Sequence, residues 1–177
     1  MSWTPSTRHQ IPVQIGEGFE GSGASAAHVK TVLGDRDGPI GTAWATALAT
    51  PTQGHAPFLV VARPGLPVKP LTLFVNTAAL AGPEHANLTW GAAQAGVASG
   101  VIEALVGGVV PLEIAESAVL IASVWVDPLA TGAHQDALYA NNRVAMLAAL
   151  TAGSTGRPTV HEVLVDTGGI WNPFYAP

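Results

Sequence analysis

The run Ala118 to Val126, AVLIASVWV, carries no charged side chain over nine residues. It is too short to cross a bilayer, which takes about 20 apolar residues in a helix. Its unbroken, β-branched character is that of a buried strand. Such a strand needs cover. Residues 133–152 supply one helix, with Leu138, Met146, Leu147 and Leu150 on or near its apolar side, and Gly153 is expected to stop it. The spacing of Val97, Val101 and Leu105 marks another over about 89–106. The fold class read from this pattern is α/β.

The remaining segments fill in around that strand. From Ile11 to Ile15 the residues alternate apolar and polar, a strand with Pro12 near its start. Gly16 to Ser25 reads as turn chemistry, and Ala26 to Leu33 as a second strand. There Ala27, Val29, Thr31 and Leu33 share one face, with His28, Lys30 and Val32 on the other. Asp37-Gly38-Pro39 opens a helix that stops at Pro51. Phe58–Ala62 and Leu71–Asn76 read as short strands joined by RPGLPVKP, and Val160–Val165 as a last short strand or helix. No linker or repeat divides the chain. The expected layout is an N-terminal arm at 1–10, one domain at 11–165 and a tail at 166–177.

Composition narrows the function. Hydrophobic residues make up 48% of the 177 and charged residues only 11%, which excludes disorder. So little polar surface also leads us to expect a homo-oligomer. The seven Lys and Arg are scattered in a chain of net charge −5, so neither nucleic acid nor an anionic membrane finds a basic stripe. With no cysteine, disulfides and thiolate chemistry are out. The start MSWTPSTRHQ lacks the apolar core of a secretory signal, and the expected location is the cytoplasm.

Gly16, Gly18 and Gly21 spell G-x-G-x-x-G after a strand, but the helix that a dinucleotide site requires does not follow. A glycine-rich hairpin is the better reading. The six histidines lack the i, i+2 or i, i+4 pairing of a strong metal site, so no metal is expected. No G-x-S-x-G elbow is present either. His28 stands out because a histidine on a strand after a glycine turn can meet a ligand and exchange a proton near neutral pH.

The segments VQIGEGFEG…AAHV, PFLVVARPGLPVKPLTLFVN, GAAQAGVASGVIEALVGGVVP and AVLIASVWV resemble the formaldehyde-activating enzyme family, in unbroken order over roughly residues 11–150. The resemblance implies condensation of formaldehyde with tetrahydromethanopterin to a methylene adduct and water. It implies a domain like the second domain of ribosomal protein S5, with a mixed sheet and helices packed on one face. It also implies a homopentamer that binds the pterin between subunits. His28 matches the family's catalytic histidine, and Leu59 and Gln94 its pterin-contacting leucine and glutamine.

Some positions depart from the family pattern. Lys30 replaces an acidic residue, Thr77 a lysine, Ala79 a threonine and Ala95 a histidine. Lys30 shares a face with His28 and is expected to stand in for part of the missing lysine's charge in binding substrate. Its like charge works against a protonated His28 and would favour turnover at lower pH. A divergent enzyme is the leading expectation. A non-catalytic paralogue that binds a pterin, an aldehyde or a protein on the same scaffold is the alternative.

Overall fold

The computed structural model describes residues 11–166 and 168–172, so the expected N-terminal arm and the end of the tail lie outside the described residues. The chain runs β1 (Gln14–Glu20), β2 (Ala27–Asp35), α1 (Pro39–Ala49), β3 (Phe58–Leu59), β4 (Val61–Arg63), β5 (Leu66–Pro67) and β6 (Leu71–Asn76). It continues through α2 (Pro83–Leu88), α3 (Gln94–Val106), β7 (Ala118–Trp125), α4 (Gln135–Thr155) and α5 (Val160–Val165). A π-helical turn, Thr89–Ala93, joins α2 to α3.

Five strands form one sheet in the order β1-β2-β7-β6-β3, and β4 pairs with β5 as a separate ribbon. The charge-free strand β7 takes the centre, antiparallel to β2 and parallel to β6, so the sheet is mixed. One face meets α3 and α4. There Val29, Leu33, Leu120 and Val124 pack with Val97, Val101, Leu138 and Met146. Each of these large side chains, fully withdrawn from water, contributes roughly 1.5–3 kcal/mol. The expected packing of helices on one face describes α3 and α4. The apolar α1, with Pro39 in its first turn, instead touches the other face at one end, where Ile40 sits on Gly34.

Two local readings are corrected. Gly16 and Gly18 do not belong to the turn, because β1 runs on to Glu20. They are glycines because α4 presses against them. A Cβ on Gly16 would lie 1.8 Å from the Ala149 carbonyl oxygen, and one on Gly18 2.1 Å from that of Ala145. The turn proper is 21–26, with Gly21 at φ +80°. This is the glycine-rich hairpin, β1 and β2 pairing antiparallel with Gly18 opposite Val29. Secondly, α4 continues through Gly153 to Thr155, and Gly156 ends it at φ +63°. Gly153 lies inside the helix beside Ile15 and Gly16, where a Cβ would make ordinary contacts at 3.4–3.5 Å.

Candidate active site

His28 lies in a cross-strand row with Phe19 of β1 and Trp125 of β7, on the face away from α4. The alternation read from the sequence holds: Ala27, Val29, Thr31 and Leu33 are buried, His28 is half-buried and Lys30 exposed. Phe19 meets the imidazole edge-on at 6.1 Å. The ring nitrogen Nε2 is shut off from solvent. Glu17 Oε1 approaches it to 2.7 Å, an ion pair when His28 is protonated, without forming a hydrogen bond. Glu17, Phe19, His28, Trp171 and Asn172 line a cavity of about 250 Å³. That space suits a one-carbon aldehyde and the edge of a larger partner.

A second cluster forms at the other edge of the sheet. Leu59 lies on β3, and Gln94 opens α3 after the π-helical turn. They share a cavity of about 370 Å³ with Ala56, Pro57, Phe58, Val61 and Trp90. Gln94 Oε1 accepts the Val61 backbone N–H at 2.7 Å. The amide NH2 is what remains of Gln94 to donate to a ligand. Phe58 stacks on Phe74 with centroids 4.7 Å apart, which stiffens this wall. The larger groove of about 710 Å³ near α5 involves neither cluster, and its Glu162 is already tied to Arg157 and Thr159.

One chain does not bring the two clusters together. The register runs from His28 to Trp125 in β7, and separately from Leu59 through Leu73 and Ile121 to Val32. Leu59 is thus three strand spacings across and four residues along from His28, roughly 20 Å. Both face the same side of the sheet, one near each edge.

The substituted positions are occupied in other ways. Thr77 donates both its backbone N–H and its hydroxyl to the Val124 carbonyl, at 2.9 and 3.2 Å. Ala79 packs beside Gly54. Ala95 lines a separate surface depression with Gln135 and Tyr139. The preceding Asn76 is buried, its side-chain amide donating to the carbonyls of Gly54 and Ala78. His85 is structural as well: Nδ1 accepts from the Ala81 N–H and Nε2 donates to the Val126 carbonyl. Among the described residues no three His, Asp or Glu are grouped as metal ligands, and no helix is long and apolar enough to cross a membrane.

Glu17, Phe19, Trp90 and Trp171 line the candidate site and were not singled out by sequence reasoning. The GE pair was visible in the motif, but its contact with His28 depends on hairpin register. Trp90 could have been found, since it stands four residues before Gln94 and so shares its side of a helix.

A mixed sheet backed by two helices, with a half-buried histidine beside a carboxylate and a distant apolar cavity floored by a glutamine, is the layout of a small-molecule enzyme domain. The family model described as formaldehyde-activating enzyme matches residues 15–175, and the chain belongs to that family. The match extends through the tail, beyond the segments that carried the resemblance in sequence. A 5,6,7,8-tetrahydromethanopterin hydro-lyase of Methanosarcina barkeri is 38% identical over 160 residues, covering 90% of this chain and 89% of that protein. A bifunctional enzyme Fae/Hps of Methanococcoides burtonii is 39% identical over 150 residues, 85% of this chain but 37% of that protein. One from Archaeoglobus fulgidus is 37% identical over 161 residues, 91% of this chain and 40% of that protein. The chain therefore spans about two-fifths of the bifunctional relatives and most of the single-function one.

Proposed function

We propose that the protein is a carbon–nitrogen lyase that condenses formaldehyde with tetrahydromethanopterin, giving the methylene adduct and water. The observation that carries this reading is His28: half-buried, set against Glu17 and opening onto a cavity of about 250 Å³, in a chain of this family. A pterin amine adds to the aldehyde carbon, and the carbinolamine oxygen takes up the amine's proton. The protonated His28 then gives a proton to that oxygen, and the C–O bond breaks with loss of water. A second pterin nitrogen closes on the carbon and returns a proton to His28. Two N–H bonds and the C=O are lost, and two C–N bonds and one water are gained. General-acid catalysis of this kind is worth about 10²–10⁴-fold.

Leu59 and Trp90 supply the apolar walls for the pterin, and Gln94 donates to it through its amide. Lys30, exposed on His28's side of the sheet, supplies a positive charge to the same substrate. The pterin is then held at one edge of the sheet and activated at the other, which a ring of identical subunits resolves. The β1 side of one subunit meets the β3 side of the next, a head-to-tail contact that closes on itself. A homopentamer in the cytoplasm is the proposed form. An apolar α1 with no buried residue leaves surface for such contacts to cover.

The second reading is a binder without turnover. It is favoured by Thr77, whose hydroxyl is held by a backbone carbonyl where the family's lysine is replaced. Stopped-flow measurement of methylene-adduct formation separates the two. Acceleration over the uncatalysed reaction, lost in His28→Ala, supports the enzyme. A wild-type rate equal to the uncatalysed one leaves the binder.

A further inference from the structure

In the hairpin ladder the residue directly opposite Glu17 is Lys30, while His28 lies diagonally, two positions along. A carboxylate opposite an ammonium would ordinarily turn to it, since opposite charges on facing strands attract. Here it does not. Glu17 Oε1 lies 2.7 Å from His28 Nε2, and among the described residues Lys30 makes no ion pair. The same nitrogen is closed to solvent, although about a third of the His28 side chain is exposed. Nδ1 is therefore the nitrogen left to meet a ligand.

We propose that Glu17 is a positioning residue for His28: its carboxylate keeps the proton on Nε2 and so presents Nδ1 to the aldehyde. A carboxylate oxygen 2.7 Å from an imidazole nitrogen repels a lone pair there and favours an N–H, and where that hydrogen sits decides what the other nitrogen offers. With Nε2 carrying hydrogen, neutral His28 offers a lone pair at Nδ1, and protonated His28 offers an N–H there. Both forms are needed in a cycle that takes up and returns a proton. Phe19, edge-on to the ring, limits its rotation. The charged groups on this side are Glu17 from β1 and Lys30 from His28's own strand. β7 contributes Ser123 and Trp125, and the C-terminal segment Trp171 and Asn172, all uncharged. Glu17 is thus the one anion facing His28 among the described residues, and it screens His28 from Lys30 as well.

This inference rests on the proposed reaction for its purpose but not for its test. Imidazole ¹⁵N shifts of His28 at high pH report the tautomer directly, with or without turnover. The wild type is expected to hold the proton on Nε2, and Glu17→Gln to show a mixture of tautomers. Glu17→Asp, which keeps the charge on a shorter arm, is expected to restore most of the preference. In the condensation assay Glu17→Gln should lower kcat about tenfold with KM changed less than twofold. An Nε2–H preference that is unchanged in Glu17→Gln overturns the proposal, whatever happens to kcat. A wild-type Nδ1–H tautomer also overturns it. If wild type shows no condensation but the tautomer follows Glu17, the reaction assignment fails and the positioning role stands.

Discussion

The backbone N–H of Val61 donates to Gln94 Oε1 at 2.7 Å, tying the first turn of α3 to the strand that follows Leu59. One half of the Gln94 amide is therefore structural, and only its NH2 is available to a ligand. Gln94→Glu keeps the acceptor for Val61 and removes the donor. We expect the fold to be retained and the KM for tetrahydromethanopterin to rise about 5- to 30-fold, the equivalent of 1–2 kcal/mol. Steady-state kinetics at saturating formaldehyde check this. An unchanged KM would place the pterin elsewhere.

Removing the imidazole should affect kcat far more than binding. His28→Ala is expected to lower kcat by about 10²–10⁴-fold while the pterin still binds, because Leu59, Trp90 and Gln94 are untouched. Fluorescence titration of the pterin alongside single-turnover kinetics separates the two effects. Loss of binding with chemistry intact would contradict the assigned role.

Packing of β1 against α4 depends on two absent side chains. In Gly18→Ala the new methyl would lie 2.1 Å from the Ala145 carbonyl oxygen, in helix backbone that cannot swing aside. Overpacking of this kind costs about 1–3 kcal/mol. Thermal unfolding should show a fall of roughly 2–4 °C for each kcal/mol lost in a chain of this size. No change in Tm would mean that the strand and helix are further apart than described.

The C-terminal helix offers a pH test. Glu162 accepts the Thr159 backbone N–H at 2.7 Å, forming a capping box with Thr159 at the start of α5, and also pairs with Arg157. The hydrogen bonds from Thr159, then Arg157, hold its carboxyl below the usual 4.5. A lowered folded-state value favours folding above the ordinary one, and this contribution disappears as pH falls through the lowered value. Amide protection in α5, measured against the exchange rate of the unfolded chain at each pH, should therefore weaken below about pH 4.5 in wild type. In Glu162→Gln that protection should be weaker already at neutral pH and no longer change with acid over that range.

Much of the architecture could be read from periodicity. The charge-free run became the central strand, and the alternation around His28 placed its face correctly, because a pleat leaves no choice once one side is buried. What escaped was set by tertiary approach. Gly16 and Gly18 carry the same letters as turn glycines, and only α4 lying against them explains why they are in a strand. Gly153 lies within α4 and not at its end, which falls at Gly156. The candidates His28, Leu59 and Gln94 come from motifs, whereas Glu17 requires the register of the hairpin. The distance between His28 and Leu59 could not be read at all, since it follows from strand order.

That distance leads to the most direct test of a condensing site shared between neighbouring subunits. His28→Ala and the double variant Leu59→Ala/Gln94→Ala should each be nearly inactive as pure assemblies. Co-assembled in equal amounts, about a quarter of the junctions in a head-to-tail ring would pair an intact His28 with an intact Leu59 and Gln94. We predict recovery of methylene-adduct formation to about a quarter of the wild-type rate per subunit. Activity no greater than the sum of the two pure variants would contradict the shared site.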